Sequence, residues 1–480
     1  MSFKEYTQDQ PFLLPLSLHD FVEEEHLARV VNDVVNLLDL NALYVRYSEL
    51  GCSAYHPQMM LKVLFYGYAT GERSSRVLAH RLKSDVAYMY LSGCQRPDFR
   101  TLNRFRKENL GALKDLFVQV VRLCKAMGML SVGTLCIDGT KLKANAAQRR
   151  TKTEASLQDD IQKIEEEMAR ILSESATVDE DEDAAYGEKS PYDVDEELKQ
   201  RNTRKEKLKE AKETLAARGE KAINVTDEDA RTMVHKGYAS EPSYNALVAV
   251  EERHGVIVEA HLSTNASDYG ALKPLVEGAE HNTQEACENL LADSGFSSYE
   301  NMEYLDERGT TGYMPDQDME SLNKGTRKNV SFHKSQFVYD KKQDRYLCPM
   351  EKPLLFRQGL SPTKRLYRGT ECRLCAWRSE CTKGKYRHVS QDQREYLQTL
   401  MRHRLQTPEG KHLYRKRAYL VEPVFGDLKH NRKCKDLLLR GKFKAYGEFL
   451  LMCITYNLRK IATVLRREKS NRLQWLPVLS

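Results

Sequence analysis

The stretch Leu135-Cys136-Ile137-Asp138-Gly139-Thr140-Lys141 decides the fold: an apolar run is closed by an acid and a glycine. Upstream of Leu130 the apolar period is helical, and from here on it is that of strands. A carboxylate that ends a buried strand is costly unless it is paired or holds a metal. The pattern recurs at Leu290-Leu291-Ala292-Asp293-Ser294-Gly295-Phe296. A third acid, Glu422, stands in the basic segment Arg417-Ala418-Tyr419-Leu420-Val421-Glu422-Pro423-Val424-Phe425-Gly426-Asp427-Leu428-Lys429. Taken singly, an Asp before Gly or Ser-Gly reads as a turn or a helix cap. Together, two strand-end carboxylates and one on a late helix make an oxygen ligand set for two Mg²⁺ ions, or Mn²⁺ in their place. Such a pair clamps the attacking and leaving oxygens of a phosphodiester.

Outward from Asp138, strands are expected over 132–143, 245–252 and 256–263, the last two joined by a hairpin at His254-Gly255. A helix follows from Ala271, then a short buried strand over 289–293 and another over 311–314. A hairpin beside strands that alternate with helices predicts a mixed α/β sheet. Residues 1–128 read as helical. Leu27, Val30, Val31, Val34 and Leu37-Leu38 form one apolar stripe, and Met59, Leu61, Val63, Leu64 and Tyr68 a second. Short helices over 75–82 and 85–91 precede one capped by Asp98, with Phe99, Leu102 and Phe105 facing inward. These are the parts of a helix-turn-helix module with a basic outer face. The DNA contacts expected there are Arg73, Arg76, Arg81, Lys83, Arg96, Arg100, Arg104, Arg106 and Lys107. Arg415, Lys416, Lys429 and Arg432 extend the basic surface near the C-terminus.

Two insertions interrupt this plan. Residues 150–222 read as a helical hairpin, with Leu157, Ile161, Ile164, Met168 and Ile171 on one arm. Val194, Leu198, Leu208, Ala211 and Leu215 lie on the other. Asp179-Glu180-Asp181-Glu182-Asp183 between them reads as a solvated loop. Residues 330–395 contain Cys348, Cys372, Cys375 and Cys381, with one CxxC pair among them. Four thiolates suit a closed structural Zn²⁺ site, with His388 as an alternative ligand; the plainer reading is a set of buried or redox-active thiols. The expected division is therefore a helical DNA-binding domain (1–128), an α/β core (129–149 and 223–329), the hairpin (150–222) and the Cys-rich insertion (330–395). A largely helical part (396–480) carries Glu422, where Pro423 is expected to start or kink a helix.

The bulk properties narrow the class of partner. With 480 residues the chain is too long for one ordinary core. Its mean hydropathy is −0.63, and no apolar stretch approaches a membrane span. No secretory leader is read, and the odd count of 11 cysteines argues for a reducing cytoplasm rather than a disulfide scaffold. The net charge of +6 hides an uneven distribution. Residues 154–200 carry 17 acids against 4 bases, which leaves the rest of the chain near +19. The segments 73–107 (nine bases, two acids) and 402–469 (eighteen bases, six acids) concentrate that charge and point to a polyanion.

These segments resemble the bacterial insertion-sequence transposases of the DDE type, whose catalytic core is RNase H-like. The resemblance rests on residues 12–128, on Cys136 to Leu142, on Leu290 to Phe296 and on Tyr414 to Lys429. Tyr414, Arg417, Glu422 and Lys429 fill that family's Tyr-Arg-Glu-Lys signature, with six residues between Glu422 and Lys429. Four residues separate Arg417 from Glu422 where the signature has three, so Arg415 and Lys416 are alternatives for the arginine's role. The resemblance implies that Asp138, Asp293 and Glu422 hold the metal ions and that Lys429 holds a phosphate. It also implies double-stranded element ends and target DNA as partners, cleavage followed by attack of a 3′-OH, and a dimer in the synaptic complex. The working location would be the cytoplasm, on the nucleoid when DNA-bound. Two other functions compete: an RNase H-like nuclease that cuts without joining, and a DNA-binding regulator without catalysis. Asp268, in Asn265-Ala266-Ser267-Asp268-Tyr269-Gly270, is a rival acid, but it lacks the apolar lead-in and reads as a loop or capping residue.

Overall fold

The computed structural model describes residues 17–45, 47, 54–185, 194–235, 239–316 and 332–468. Its main sheet contains β1 (Thr134–Lys143), β2 (Arg231–Met233), β3 (Glu241–Glu251), β4 (Ile257–Ser263), β5 (Asn289–Leu291) and β6 (Thr311–Tyr313). β1 is central. Leu135, Cys136 and Ile137 are fully buried, as an apolar run without alternation requires. On one side β1 pairs antiparallel with β3, whose far edge is shared by β2 and β4. On the other side β1 runs parallel to β5, and β5 parallel to β6. The expected hairpin is present, with Gly255 at a φ of +70° in its turn. The fold is thus mixed α/β.

The N-terminal helices are α1 (Leu27–Leu37), α2 (Pro57–Thr70), α3 (Ser75–Ser84), α4 (Val86–Ser92), α5 (Phe99–Glu108) and α6 (Leu113–Ala126). Asp98 caps α5 as expected, accepting a hydrogen bond from the Thr101 N–H. Leu102 and Phe105 are buried, but Phe99, expected inside, is exposed at the start of the helix. The guanidinium groups of Arg76 and Arg100 lie over its ring, 5.2 and 5.7 Å from the centroid. These helices share one continuous apolar core with the sheet and with the last helix, Lys442–Glu468. That helix packs against α1, α2, α6 and β4.

The first insertion is a pair of long helices, α7 (Glu154–Ala185) and α8 (Val194–Arg218), with a small core of its own. Leu157, Ile161 and Ile164 meet Leu208, Ala211 and Leu215 there. The acidic run 179–183 is not a loop: it continues α7. No glycine or proline occurs between 154 and 186, so nothing in the chain ends the helix earlier. The second insertion is an antiparallel meander that the sequence reading did not anticipate. Its strands are β7 (Val338–Asp340), β8 (Arg345–Leu347), β9 (Pro353–Gly359), β10 (Lys364–Gly369) and β11 (His388–Asp392), ordered in space as in sequence.

Helices α9 (Leu272–Thr283), α10 (Tyr299–Glu307), α11 (Glu395–Gln406), α12 (Pro408–Leu420) and α13 (Glu422–Gly426) precede the last helix, α14. As expected, Pro423 falls in the first turn of a new helix. Two buried charges tie α14 to its surroundings. Arg432 is 1% exposed and donates to the Met452 carbonyl and the Thr455 hydroxyl. Glu448 is fully buried and accepts from the Leu438 and Leu439 N–H groups at 2.8 and 3.0 Å, with Arg73 Nη1 at 3.6 Å. Removing Glu448 leaves the Leu438 and Leu439 N–H groups without that acceptor. Glu448→Ala is therefore expected to cost about 3–5 kcal/mol, read as a lower midpoint in thermal unfolding, whereas Asp436→Ala at the exposed partner of Arg73 costs under about 1 kcal/mol.

A candidate active site of carboxylates on the central sheet

Register brings the two aspartates together. Cys136 of β1 pairs in parallel with Leu291 of β5, so Asp138 and Asp293 each stand two residues beyond the same rung. Arg417 of α12 reaches over both: its Nη2 lies 2.8 Å from Asp138 Oδ2 and 3.7 Å from Asp293 Oδ2. The remaining carboxylate oxygens turn back on the chain. Asp138 Oδ1 accepts from the Gly139 N–H at 2.8 Å, and Asp293 Oδ1 from the Gly295 N–H at 2.9 Å. Burial pushes Asp138 up to about 6, against the pull of Arg417, and the charges of Asp293 and Asp268 add to the rise. Burial also opposes the charge on Arg417, but Asp138, Tyr414 and Asp293 outweigh it and raise that group.

Asp268, set aside in the sequence reading, belongs to this cluster. Its Oδ1 accepts a short hydrogen bond from Asn245, fully buried on β3, and lies 3.6 Å from Lys141 Nζ. It occupies space left by the glycines that follow the other two aspartates. A Cβ on Gly139 would meet Asp268 Oδ1 at 3.3 Å, and one on Gly295 would meet Asp268 Oδ2 at 3.0 Å and Asp293 Oδ1 at 2.9 Å. Those two glycines were the available signal.

The other expected site residues divide. Lys429 is at the site, donating to Thr140 Oγ1 at 2.5 Å and to the Lys141 carbonyl at 3.0 Å; burial, then Lys141 and Lys435, lower its pKa. Tyr414 acts on Arg417 electrostatically. Glu422 stands apart: Val421 ends α12, and Glu422 opens α13 as an exposed residue. Among the described residues no three His, Cys, Asp or Glu side chains form a group arranged to hold a metal ion, so the expected trio is not assembled. The pair Asp138–Asp293 nevertheless fits a divalent cation. Both are oxygen donors, and both already point at one cationic group, that of Arg417.

Of the expected DNA contacts, Arg76, Arg81, Lys83, Arg96, Arg100, Arg104, Lys107 and Arg415 are exposed. Three serve the interior instead, which corrects the sequence reading. Arg73 donates to the Lys433 and Asp436 carbonyls, Arg106 to Tyr68 Oη and the Arg73 carbonyl, and Arg432 pairs with Asp427 at 2.8 Å. Lys416 pairs with Glu252 at 2.9 Å. Basic residues that read as surface are thus partly drawn inward by backbone carbonyls, a tyrosine hydroxyl and carboxylates.

Cys348, Cys372, Cys375 and Cys381 line one small cavity, and His388 is not part of it. Cys348 Sγ accepts from the Lys352 N–H at 3.3 Å and Cys372 Sγ from the Arg387 N–H at 3.4 Å. Burial raises the Cys381 thiol; Arg387 opposes this, and the other three cysteines add to it. The four thiols converge on this cavity but do not close into a ligand group.

Two family models match the sequence. A transposase DDE domain matches residues 347–462, and a transposase domain of the DUF772 type matches residues 16–108. Both are transposase families, and they match separate parts of the chain. These two matches support an insertion-sequence transposase of the DDE type. No curated protein matches it. Among solved structures, a piggyBac transposase synaptic complex with hairpin DNA is similar at 10% identity and a TM-score of 0.33. That match covers 94% of this chain and 78% of the other, and a likeness so distant carries no argument. No helix among the described residues is long and apolar enough to cross a membrane.

Two outcomes follow from this geometry. Gly295→Ala should displace Asp268 or Asp293 and lower any strand-cleavage rate on the order of 10²-fold, while the thermal unfolding midpoint moves little. Because a carboxylate binds a cation only when ionised, Mn²⁺ affinity measured by calorimetry should fall as pH drops through about 6, the raised value for Asp138. Affinity that is flat between neutrality and the ordinary aspartate range would remove Asp138 from the ligand set.

Proposed function

We propose that this transposase cuts DNA at the ends of a mobile element and joins the freed 3′-OH to target DNA, using Asp138, Asp293 and Glu422. The observation that carries the reading is the parallel register that sets Asp138 and Asp293 on either side of one cationic position. Mg²⁺, or Mn²⁺, held by these carboxylates would supply a Lewis acid and an activated oxygen nucleophile. Glu422, on the helix after α12, is the third ligand in this reading. Its approach requires a change at the α12–α13 break around Val421.

The protein's own groups have distinct tasks. Arg417 holds the two aspartates together, and its positive charge favours their ionised forms against burial. Lys429, fixed by Thr140 and the Lys141 carbonyl, presents a cation where a phosphate beside the cut would lie. In the joining step the 3′-oxygen forms a bond to a target phosphorus, and the target's own P–O3′ bond breaks. The exposed basic residues of α3 to α5 hold the duplex through its backbone. Residues 1–128, 129–149 with 223–329, 150–222, 330–395 and 396–480 act as the working parts. A dimer brings two element ends together in the cytoplasm, on the nucleoid.

The test is divalent-metal-dependent cleavage and joining of a duplex carrying an element end and its flank. Wild type should cut and join, and Asp138→Ala, Asp293→Ala and Glu422→Gln should each lose at least about 10²-fold while still binding DNA. Cutting without joining would favour a nuclease, and binding without cutting a regulator. The same proposal includes a structural Zn²⁺ at the cysteine cavity. Two of the thiols accept backbone N–H bonds, which suit thiolates. Purified protein should contain about one zinc per chain, lost in Cys372→Ser with Cys375→Ser. Metal-free protein with an unchanged unfolding midpoint would discard that site.

A further inference from the structure

A wide groove beside the acid cluster is lined from three parts of the chain distant in sequence: 141–150, the residues Thr226, His235 and Glu241, and 429–440. It begins at Lys141, the lysine that faces Asp268. Lys141, Lys143, Lys429, Lys435, Arg149 and Arg150 line it, and its acids are Glu241 and Asp436. Both acids are already paired, Glu241 with Lys143 at 2.7 Å and Asp436 with Arg73 at 3.0 Å. Among the described residues Arg149, Arg150 and Lys435 have no ion-pair partner. Lys141 and Lys143 are offset by Asp268 and Glu241, which leaves the charges of Arg149, Arg150 and Lys435 to solvent; burial, then Lys141 and Lys435, lowers the Lys429 pKa. Such an arrangement is stable only with an anion in it or with ample solvent screening. No Phe, Tyr or Trp lines the groove, so a stacked base has little to hold there.

The root of the helical insertion forms one wall. Thr151–Lys152 pairs with Ile223–Asn224, the Val225 N–H donates to the Arg150 carbonyl, and Asn224 Nδ2 donates to the Ala147 carbonyl at 3.0 Å. Arg149 and Arg150 are thus exposed side chains on a backbone held at both ends. We propose that this groove holds the phosphate backbone of the DNA strand that continues from the cut, and that the insertion's root positions it. The inference rests on the reading of the acid cluster as the cutting site. It assigns to DNA five residues outside the expected set (Lys141, Lys143, Arg149, Arg150 and Lys435), and it gives the insertion a place in binding.

The experiment measures affinity of the full chain for a short fluorescein-labelled duplex of mixed sequence, without divalent metal, across a range of salt concentration. Neutralising Arg149, Arg150 and Lys435 to Gln together should flatten the slope of log Kd against log salt by roughly 3, about 0.9 for each phosphate that is no longer neutralised. Lys435→Gln alone should flatten it by about 1, which serves if the triple variant unfolds. Lys341→Gln with Lys342→Gln, exposed on the meander, should leave the slope unchanged. A triple or single variant that folds with the wild-type slope overturns the groove. So does a control pair that flattens the slope as much per residue, since the effect is then one of net charge. Wild type that binds no duplex at any salt concentration instead sinks the reading of the chain as a DNA-cutting enzyme.

Discussion

The structure depends on placing carboxylates at the buried end of a sheet without leaving their charge uncompensated. Asp138, Asp293 and Asp268 converge there, and two cations, Arg417 and Lys141, stand against them. Arg417 and Lys141 offset part of that negative charge, and burial raises Asp138. The glycines at 139 and 295 belong to the same constraint, since a side chain at 295 would enter the space of Asp293 and Asp268, and one at 139 that of Leu247, Asn245 and Asp268.

The rest of the chain holds that end of the sheet steady. α14 is packed on the N-terminal helices and on β4, so the segment with the basic face and the sheet with the acids share one core. Arg73 shows the connection most directly. It lies between the N-terminal helices and the loop before α14, where Asp436 and Glu448 meet it. Arg73 thereby ties the N-terminal helices to the segment that follows Lys429 and carries Lys435. The two insertions, by contrast, have small cores of their own and join the main body at few points.

The strands, the hairpin, the cap at Asp98 and the break at Pro423 were legible because each is a local event: a run, a turn, a cap, a missing N–H. The meander of 338–392 was not, since its strands are short and polar and its core is five side chains. Arg73, Arg106 and Arg432 were misjudged for a related reason. An arginine in a basic run looks solvated until a buried group from a distant segment claims it, as Glu448 does Arg73, Tyr68 does Arg106, and Met452 with Thr455 does Arg432.

By itself the sequence determined the mixed α/β class, the placing of Asp138 and Asp293 directly after buried apolar runs, and the basic character of both terminal regions, whereas Asp138 falls within β1 rather than at its end. These follow from periodicity and composition, which act over a few residues at a time. Only the tertiary structure decided that Arg417 spans both aspartates, that Asp268 joins them while Glu422 stands apart, and that residues near 145, 230 and 435 share one groove. Each of those depends on strand register or helix packing between segments far apart in the chain, where a shift of one residue would turn a side chain to the opposite face.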